Sequence, residues 1–266
     1  MELNTLLQYK PYSTARTEKR ALYAGLLTGL TQFHRERCPE YGRLLDALGC
    51  PAHMDCTVES TPMLPVSLFK ELELRSIPEG EVFKTITSSG TTGQRVSRIF
   101  LDGATSACQQ QALCQIMSDF LGERRLPFLV LDSRQVLRNR AMFSARGAGI
   151  LGFSIFGTRP CYALDEHMEL DLDGVRAFLE EHQGETIFLF GFTFIIWKHV
   201  VRALEERGER LDIPNGILVH GGGWKKLAGE AVSPGEFKAR VAAATGVERA
   251  VSYTHLRAHE TPEHLV

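Results

Sequence analysis

The sequence predicts an α/β fold in which helices flank a largely parallel sheet. Short apolar segments with the length of strands recur along the 266-residue chain, and segments with helical periodicity separate them. Strands and helices that alternate in this way build layered α/β architectures. The fold class therefore follows from the order of the elements.

The first part of the chain is predicted to be helical and then irregular. Residues 16–37 carry Ala, Leu and Tyr at helical spacing, and Pro39 closes this run. A second, short helix is predicted over residues 41–48. Residues 50–66 are rich in Pro, Thr, Ser and Cys, which indicates an irregular connector before the apolar segment 64–70.

Two segments with strand character, 82–86 and 96–101, enclose a block of hydroxyl-bearing residues and glycines. The tip of such a hairpin has backbone N–H groups that can point outward, and its glycines let the backbone approach a ligand closely. These donors suit a polyphosphate, whereas a Ser/Thr/Gly turn without a ligand is the alternative. No Gly-Lys-Ser/Thr follows at Walker spacing. The predicted ligand-binding residues are Thr87, Ser88, Ser89, Gly90, Thr91, Thr92 and Gly93.

Downstream of this block, helices and strands alternate. Residues 132–164, which are rich in Arg and Gly, do not indicate a particular element. The remaining elements are predicted helices at 104–121, 174–182, 193–207 and 234–245 and predicted strands at 128–131, 186–190 and 216–220.

A second candidate site follows the strand that begins at Gly216. Its sequence is His-Gly-Gly-Gly-Trp-Lys-Lys, and a glycine-rich turn at the carboxyl end of a strand is where open α/β sheets place ligands. Trp224 is a candidate for stacking on a flat ring, and Lys225 or its neighbour for contact with phosphate or carboxylate. The alternative is a tight strand-to-helix turn with an exposed lysine pair. The candidate binding residues here are Gly221, Gly222, Gly223, Trp224 and Lys225.

Two other kinds of site are excluded. His-Gly-Gly-Gly also occurs in lipase-like esterases, but these need a G-x-S-x-G nucleophile motif downstream, and nothing after Gly223 fits. His255, His259 and His264 do not predict a metal site. The run from His259 and Glu260 to His264 is one residue too long for the zincin motif, and Pro262 would break the helix. Residues 251–266 resemble translated sequencing-adapter sequence and are expected to be foreign to the natural protein.

Composition excludes several classes of partner. The chain has 30 basic and 32 acidic residues, and no basic stripe indicates nucleic-acid binding. Its 6 cysteines show neither C-x-x-C pairs nor metal-ligand spacing, which is typical of free thiols in a reducing cytoplasm. The start lacks the pattern of a signal peptide, and the most apolar segment, 187–197, is too short to span a membrane. We therefore expect a cytoplasmic protein without a membrane span.

Three blocks carry a family resemblance: residues 64–70, 87–93 and 220–226. In this order and spacing they resemble the acyl-protein synthetase family of bacterial bioluminescence operons, the LuxE type, within the adenylate-forming superfamily. Phenylacetate–CoA ligases share the middle block. The resemblance implies that residues 1–250 are a truncated N-terminal large domain of an adenylate-forming (ANL-type) enzyme.

The resemblance also implies an activity, its cofactors and its partners. ATP and Mg²⁺ would activate a carboxylic acid, expected to be a fatty acid, as an acyl-adenylate, and the acyl group would pass to a protein thiol. An acyl-accepting or reductase protein is the implied partner. Ser88 to Gly93 would hold the β- and γ-phosphates, and Gly221 to Gly223 would border the adenine. The alternatives are a carboxylate–CoA ligase of the phenylacetate type and a non-enzymatic α/β protein whose loop merely turns.

Several motifs of the superfamily are missing from the chain. Tyr253 is followed by Thr254 instead of the glycine of Tyr-Gly-x-x-Glu, whose glutamate helps to bind Mg²⁺ in the superfamily. The ribose-binding aspartate motif, the late lysine and the acyl-accepting cysteine region are also missing. No catalytic residue and no metal ligand is therefore assigned, and the chain is expected to bind nucleotide without completing adenylation.

Overall fold

The computed structural model describes residues 3–87, 96–137, 145–224 and 229–253. The chain divides into two compact units, Met1–Asp119 and Phe120–Val266. That residues 1–250 form one truncated domain stays a prediction.

The first unit opens with a 3-10 helix at Leu3–Gln8 and two α-helices, α1 (Arg16–Arg37) and α2 (Pro39–Ala47). Cys38 lies between them with an extended backbone (φ −121°, ψ 97°), as the residue before a proline prefers. Pro39 then occupies the first turn of α2, where its missing N–H costs nothing. The predicted first helix is confirmed, and α2 begins two residues before its predicted start.

After a single-turn helix, α3 (Leu68–Glu71), the first unit forms a two-stranded antiparallel sheet. Strand β1 (Lys84–Thr87) pairs with β2 (Arg98–Leu101) in the register Thr87↔Arg98. Helix α4 (Gly103–Leu121) follows. The two strands predicted on either side of the hydroxyl-glycine block are thus confirmed, whereas residues 88–95 of that block lie outside the described residues.

The second unit contains a five-stranded sheet in which every neighbouring pair is parallel. Its spatial order is β4-β3-β5-β6-β7. The α/β fold with a largely parallel sheet is therefore confirmed. The strands are β3 (Leu126–Ser133), β4 (Gly157–Leu164), β5 (Ile187–Phe192), β6 (Gly216–Gly221) and β7 (Arg249–Tyr253).

Helices connect these strands and cover both faces of the sheet. On one face, Phe128 stacks on Phe188 with ring centroids 4.7 Å apart, and Phe153 stacks on Phe190 at 4.4 Å. On the other face the main core cluster surrounds Leu189. The helical segments are α5 (Ala145–Phe153), α6 (Leu172–Glu181), α7 (Thr193–Ile195), a π-helical segment (Ile196–Val201), α8 (Arg202–Arg207) and α9 (Pro234–Thr245).

Three elements lie where the sequence indicated none. Helix α5 and strand β4 occupy the unassigned stretch 132–164, and β4 carries Pro160, which an edge strand tolerates. Strand β7 crosses residue 250 and pairs with β6 as far as Tyr253. The foreign origin of residues 251–266 stays a prediction, since residues 254–266 lie outside the described part. Within that part, no helix is both long and apolar enough to cross a bilayer.

Candidate functional site

The order of the strands defines one place in the second unit where a ligand would bind. From β3 the chain moves to β4 on one side, and it then returns past β3 to β5, β6 and β7 on the other side. Open α/β sheets bind ligands outside the carboxyl ends of the strands where the order reverses in this way. This carboxyl edge carries Asp132 at the end of β3, Phe192 at the end of β5 and Gly221 at the end of β6.

The glycine-rich turn lies at this carboxyl edge. Gly222 has φ +76°, and a Cβ atom there would lie 2.9 Å from Cδ1 of Phe192. A Cβ atom on Gly221 would lie 2.9 Å from the carbonyl oxygen of Tyr253. Packing and backbone conformation therefore require both glycines. Gly223 differs from them, because none of the residues that the structure describes would lie within 4 Å of a Cβ atom on it.

Buried hydrogen bonds of Thr193 and His220 support the glycine-rich turn. Thr193 Oγ1 lies 3.0 Å from Nδ1 of His220 and donates to the carbonyl oxygen of Gly221 at 3.3 Å. A hydroxyl has one proton, so the neutral imidazole donates its Nδ1–H to Thr193. Nε2 of His220 is buried and has no hydrogen-bond partner among the residues that the structure describes. Burial, with a smaller effect from Lys238, lowers the pKa of His220 from 6.5 to about 4.

Trp224 is half-buried at the end of the turn and packs onto other aromatic rings. Its ring lies edge-on to Trp197 of the π-helical segment, with centroids 5.3 Å apart, and edge-on to Phe237 of α9 at 6.2 Å. These contacts hold the indole against the periphery of the core cluster. The role of Trp224 in stacking on a flat ligand stays a prediction.

The structure describes only part of the two predicted sites. It brings Gly221, Gly222, Gly223 and Trp224 together in one turn of the second unit. Thr87, in the first unit, is the exposed last residue of β1. The other predicted binding residues lie outside the described residues, namely Ser88, Ser89, Gly90, Thr91, Thr92, Gly93 and Lys225.

An ion pair at the end of β3 was not anticipated from the sequence. Arg146 Nε donates to Oδ2 of Asp132 at 2.8 Å, and Arg146 Nη2 donates to Oδ1. The backbone N–H of Ser133 also donates to Oδ1 at 2.7 Å. The Asp132 side chain is 0% exposed and that of Arg146 is 24% exposed. Asp132 directly follows a predicted apolar strand, and this position could have indicated a functional residue. Its partner Arg146 lies in the stretch to which no element was assigned.

Thr193 was also missed as a member of the site. It is separated by 27 residues from His220, and a lone threonine after a strand predicts nothing by itself. Among the described residues, no group of three or more His, Cys, Asp or Glu side chains could hold a metal ion. The described part of the carboxyl edge is therefore a glycine turn with buried polar support, and a buried ion pair beside it.

Comparisons with known proteins identify the family. The family model described as acyl-protein synthetase, LuxE, matches residues 2–253. The long-chain-fatty-acid–luciferin-component ligase of Vibrio harveyi is 22% identical over 233 residues, which cover 85% of this chain and 59% of that relative. The chain thus spans less than two thirds of the length of this relative.

Two solved structures share the fold. An open conformation of 2-hydroxyisobutyryl-CoA ligase in complex with 2-HIB-AMP and CoA has a TM-score of 0.60 at 16% identity and covers 94% of this chain and 55% of its own. The same ligase in the thioesterification state has a TM-score of 0.58 at 18% identity and covers 90% and 49%. These likenesses show that the chain shares the fold of this ligase. Because the family model matches nearly all of its residues, this chain belongs to the acyl-protein synthetase (LuxE) family.

Proposed function

We propose that this chain carries the nucleotide- and acyl-binding part of an enzyme that activates a carboxylic acid with ATP. The acid becomes an acyl-adenylate, pyrophosphate leaves, and the acyl group then passes to a protein thiol. The match of the acyl-protein synthetase model to residues 2–253 carries this proposal. A fatty acid as the substrate, and an acyl-accepting or reductase protein as the partner, are taken from the family and from the name of the Vibrio harveyi relative.

ATP fits the residues that are available. No residue in the described part of the chain crowds Gly223, and Gly221 to Gly223 with Trp224 would border the adenine at the carboxyl edge. Thr87 and the block Ser88 to Gly93 would hold the β- and γ-phosphates through hydroxyl and backbone N–H donors. Lys225 would meet a phosphate or the substrate carboxylate.

Mg²⁺ is proposed as the ion that accompanies ATP. It is usually held by phosphates, water and one or two protein groups. When bound, Mg²⁺ supplies positive charge that offsets the polyphosphate. The hydroxyl groups of the block between β1 and β2 would complete its surroundings.

The chain contributes to the first step by positioning and by charge neutralisation. A carboxylate oxygen attacks the α-phosphorus directly, so no nucleophilic side chain is needed. Donors that are fixed before the reaction stabilise the charge that develops on the phosphate oxygens. The network of His220, Thr193 and the Gly221 carbonyl keeps the turn in one conformation for this purpose.

Isothermal titration calorimetry with Mg·ATP tests the proposal. Ser89→Ala/Thr91→Ala removes two hydroxyl donors and should weaken binding by about tenfold or more, since each hydrogen bond to a charged group contributes on the order of 1.5–3 kcal/mol. Ser89→Thr/Thr91→Ser keeps both hydroxyls and should bind nearly as tightly as the wild type. Equal heats for the wild type and the alanine variant would contradict the assignment of this block.

A protein thiol is proposed as the acceptor because the matching family consists of acyl-protein synthetases. A carboxylate–CoA ligase would instead consume coenzyme A. Formation of free acyl-CoA by a full-length version of the enzyme, with ATP, octanoate and coenzyme A as substrates, would contradict the proposed acceptor and favour this alternative.

A further inference from the structure

The ion pair of Asp132 and Arg146 has no role in the function proposed so far. It lies at the carboxyl end of β3, beside the point where the order of the strands reverses. Asp132 is fully buried, and three hydrogen bonds satisfy its carboxylate. A buried ion pair is weak evidence for stability, because well-packed apolar residues in its place are often as stable or more stable. A reason for this pair is therefore to be sought in ligand binding.

The guanidinium of Arg146 is held with one edge uncommitted. Its Nε and Nη2 face Asp132, and Nη2 also lies 3.6 Å from Sδ of Met168, a weak acceptor. Among the described residues, Nη1 of Arg146 has no hydrogen-bond partner, and the side chain is 24% exposed. Within the described part of the chain, the two N–H groups of Nη1 are thus left for a ligand at the carboxyl edge.

The backbone around this guanidinium has two unusual conformations. Met168 has φ +65°, a left-handed conformation that non-glycine residues rarely adopt and that clusters at functional sites. Its carbonyl oxygen accepts a hydrogen bond from Nδ1 of His199 at 2.8 Å. His199 belongs to the π-helical segment, and π-helical turns are likewise frequent at functional sites. Met168 therefore contacts both Arg146 of α5 and His199 of the π-helical segment.

We propose that Arg146 binds an oxyanion of the reaction, and that Asp132 is the positioning residue that fixes its guanidinium. An arginine held in a single orientation suits a carboxylate or phosphate, because its planar N–H groups match the geometry of two oxygens. The N-terminal turn of α5, which contains Arg146, adds a favourable partial positive charge. The ligand is either the carboxylate of the acyl substrate or a phosphate of the nucleotide. This inference rests on the function proposed above.

Matched pairs of ligands identify the oxyanion. AMP and adenosine differ only in the phosphate, and octanoate and octanamide differ in the charged carboxylate. For each pair, the ratio of the two affinities for the full chain measures how much the charged group contributes to binding. Asp132→Asn/Arg146→Gln removes the arginine without leaving a buried, unpaired carboxylate. The control is Arg176→Gln/Glu209→Gln, which removes the exposed ion pair of 2.6 Å between α6 and the segment after α8.

In the double variant of the buried pair, one of the two affinity ratios should fall by about tenfold or more, while the control keeps both. Loss of the AMP/adenosine ratio assigns the phosphate, and loss of the octanoate/octanamide ratio assigns the substrate carboxylate. If both ratios stay within about twofold of the wild type, the assignment of Arg146 is wrong. If the double variant does not fold, Arg146→Lys carries the same test, because lysine keeps Asp132 paired but has no planar fork. A wild-type chain that binds neither AMP nor octanoate would overturn the proposed function, and this inference with it.

Discussion

At the scale of single residues, the polar groups buried at the carboxyl edge distinguish this region from the rest of the sheet. Asp132, Thr193 and His220 lie at or just after the ends of β3, β5 and β6, and all three are buried. Burying a polar group is unfavourable unless it is hydrogen-bonded. Asp132 is hydrogen-bonded to Arg146, and Thr193 is hydrogen-bonded to the glycine turn. The residues whose burial is unfavourable are therefore those that position the proposed site.

His220 makes the free energy of unfolding depend on pH. Its pKa in the folded chain is about 4, below its ordinary value of 6.5, because it is buried. Between these values the unfolded chain binds a proton that the folded chain does not, so acid favours unfolding. This stabilisation is complete above pH 6.5, amounts to about 3 kcal/mol, and is lost as the pH falls toward 4.

Urea unfolding of the wild type and of His220→Gln at a series of pH values measures this effect. The difference in unfolding free energy between the two proteins should shrink as the pH falls from 7 to 4. His167→Gln, which removes an exposed imidazole, is the control. Parallel profiles for wild type and His220→Gln would show that His220 is not buried in its neutral form.

Substitutions at two glycines of the turn test its contributions to stability and to binding separately. Gly222→Ala places a Cβ atom in a left-handed backbone and close to Phe192, and should lower the free energy of unfolding by about 1–2 kcal/mol. In Gly223→Ala the added Cβ atom meets none of the residues that the structure describes, and we expect stability to change by less than about 0.5 kcal/mol. Calorimetry should nevertheless show weaker Mg·ATP binding for Gly223→Ala. Unchanged affinity in this variant would remove Gly223 from the proposed site.

At the scale of elements, helix α9 shows how local chemistry sets both ends of a helix. Ser233 caps its start by accepting a hydrogen bond from the backbone N–H of Glu236, and Pro234 occupies the first turn. Gly246, with φ +75°, ends it in the left-handed conformation. The helix then presents Phe237 and Val241 to the core cluster. These signals lie within the segment itself, which explains why its predicted and observed bounds agree.

Ser233→Ala should therefore destabilise the chain by about 1 kcal/mol, because one backbone N–H of α9 loses its acceptor. Thermal or urea unfolding measures the change. Ser233→Thr keeps a hydroxyl at the same position and should retain most of the stability. A loss of equal size in both variants would mean that packing of the serine, and not its hydrogen bond, is what the substitution disturbs.

At the scale of the whole molecule, burial differs between the two sheets. Strands β5 and β6 are paired on both sides and are buried almost throughout, whereas β1 is mostly exposed and β2 is only partly buried. Amides in central, buried strands exchange only when a large part of the fold opens. We expect peptides from 187–192 and 216–221 to exchange hydrogen most slowly, and peptides from 84–87 and 98–101 much faster. Similar rates in both sets, measured by mass spectrometry, would contradict this difference in local stability.

The sequence by itself determined the family, the α/β class and the bounds of several elements, because these depend on motifs, periodicity and caps within short segments. Helix α1 and helix α9 are examples. Strand β4 was missed because it contains a proline, which weakens the local strand pattern. Strand β7 was missed because it crosses the expected end of the domain.

Only the tertiary structure decided how the carboxyl edge is built. Parallel crossovers produce the order of the five strands. They also pair Asp132 with Arg146, 14 residues away, and bring Thr193 into contact with His220, 27 residues away. Crossovers bring the ends of strands together that are distant along the chain. Whether a polar side chain there is buried and oriented, or simply solvated, depends on neighbours that no local pattern specifies.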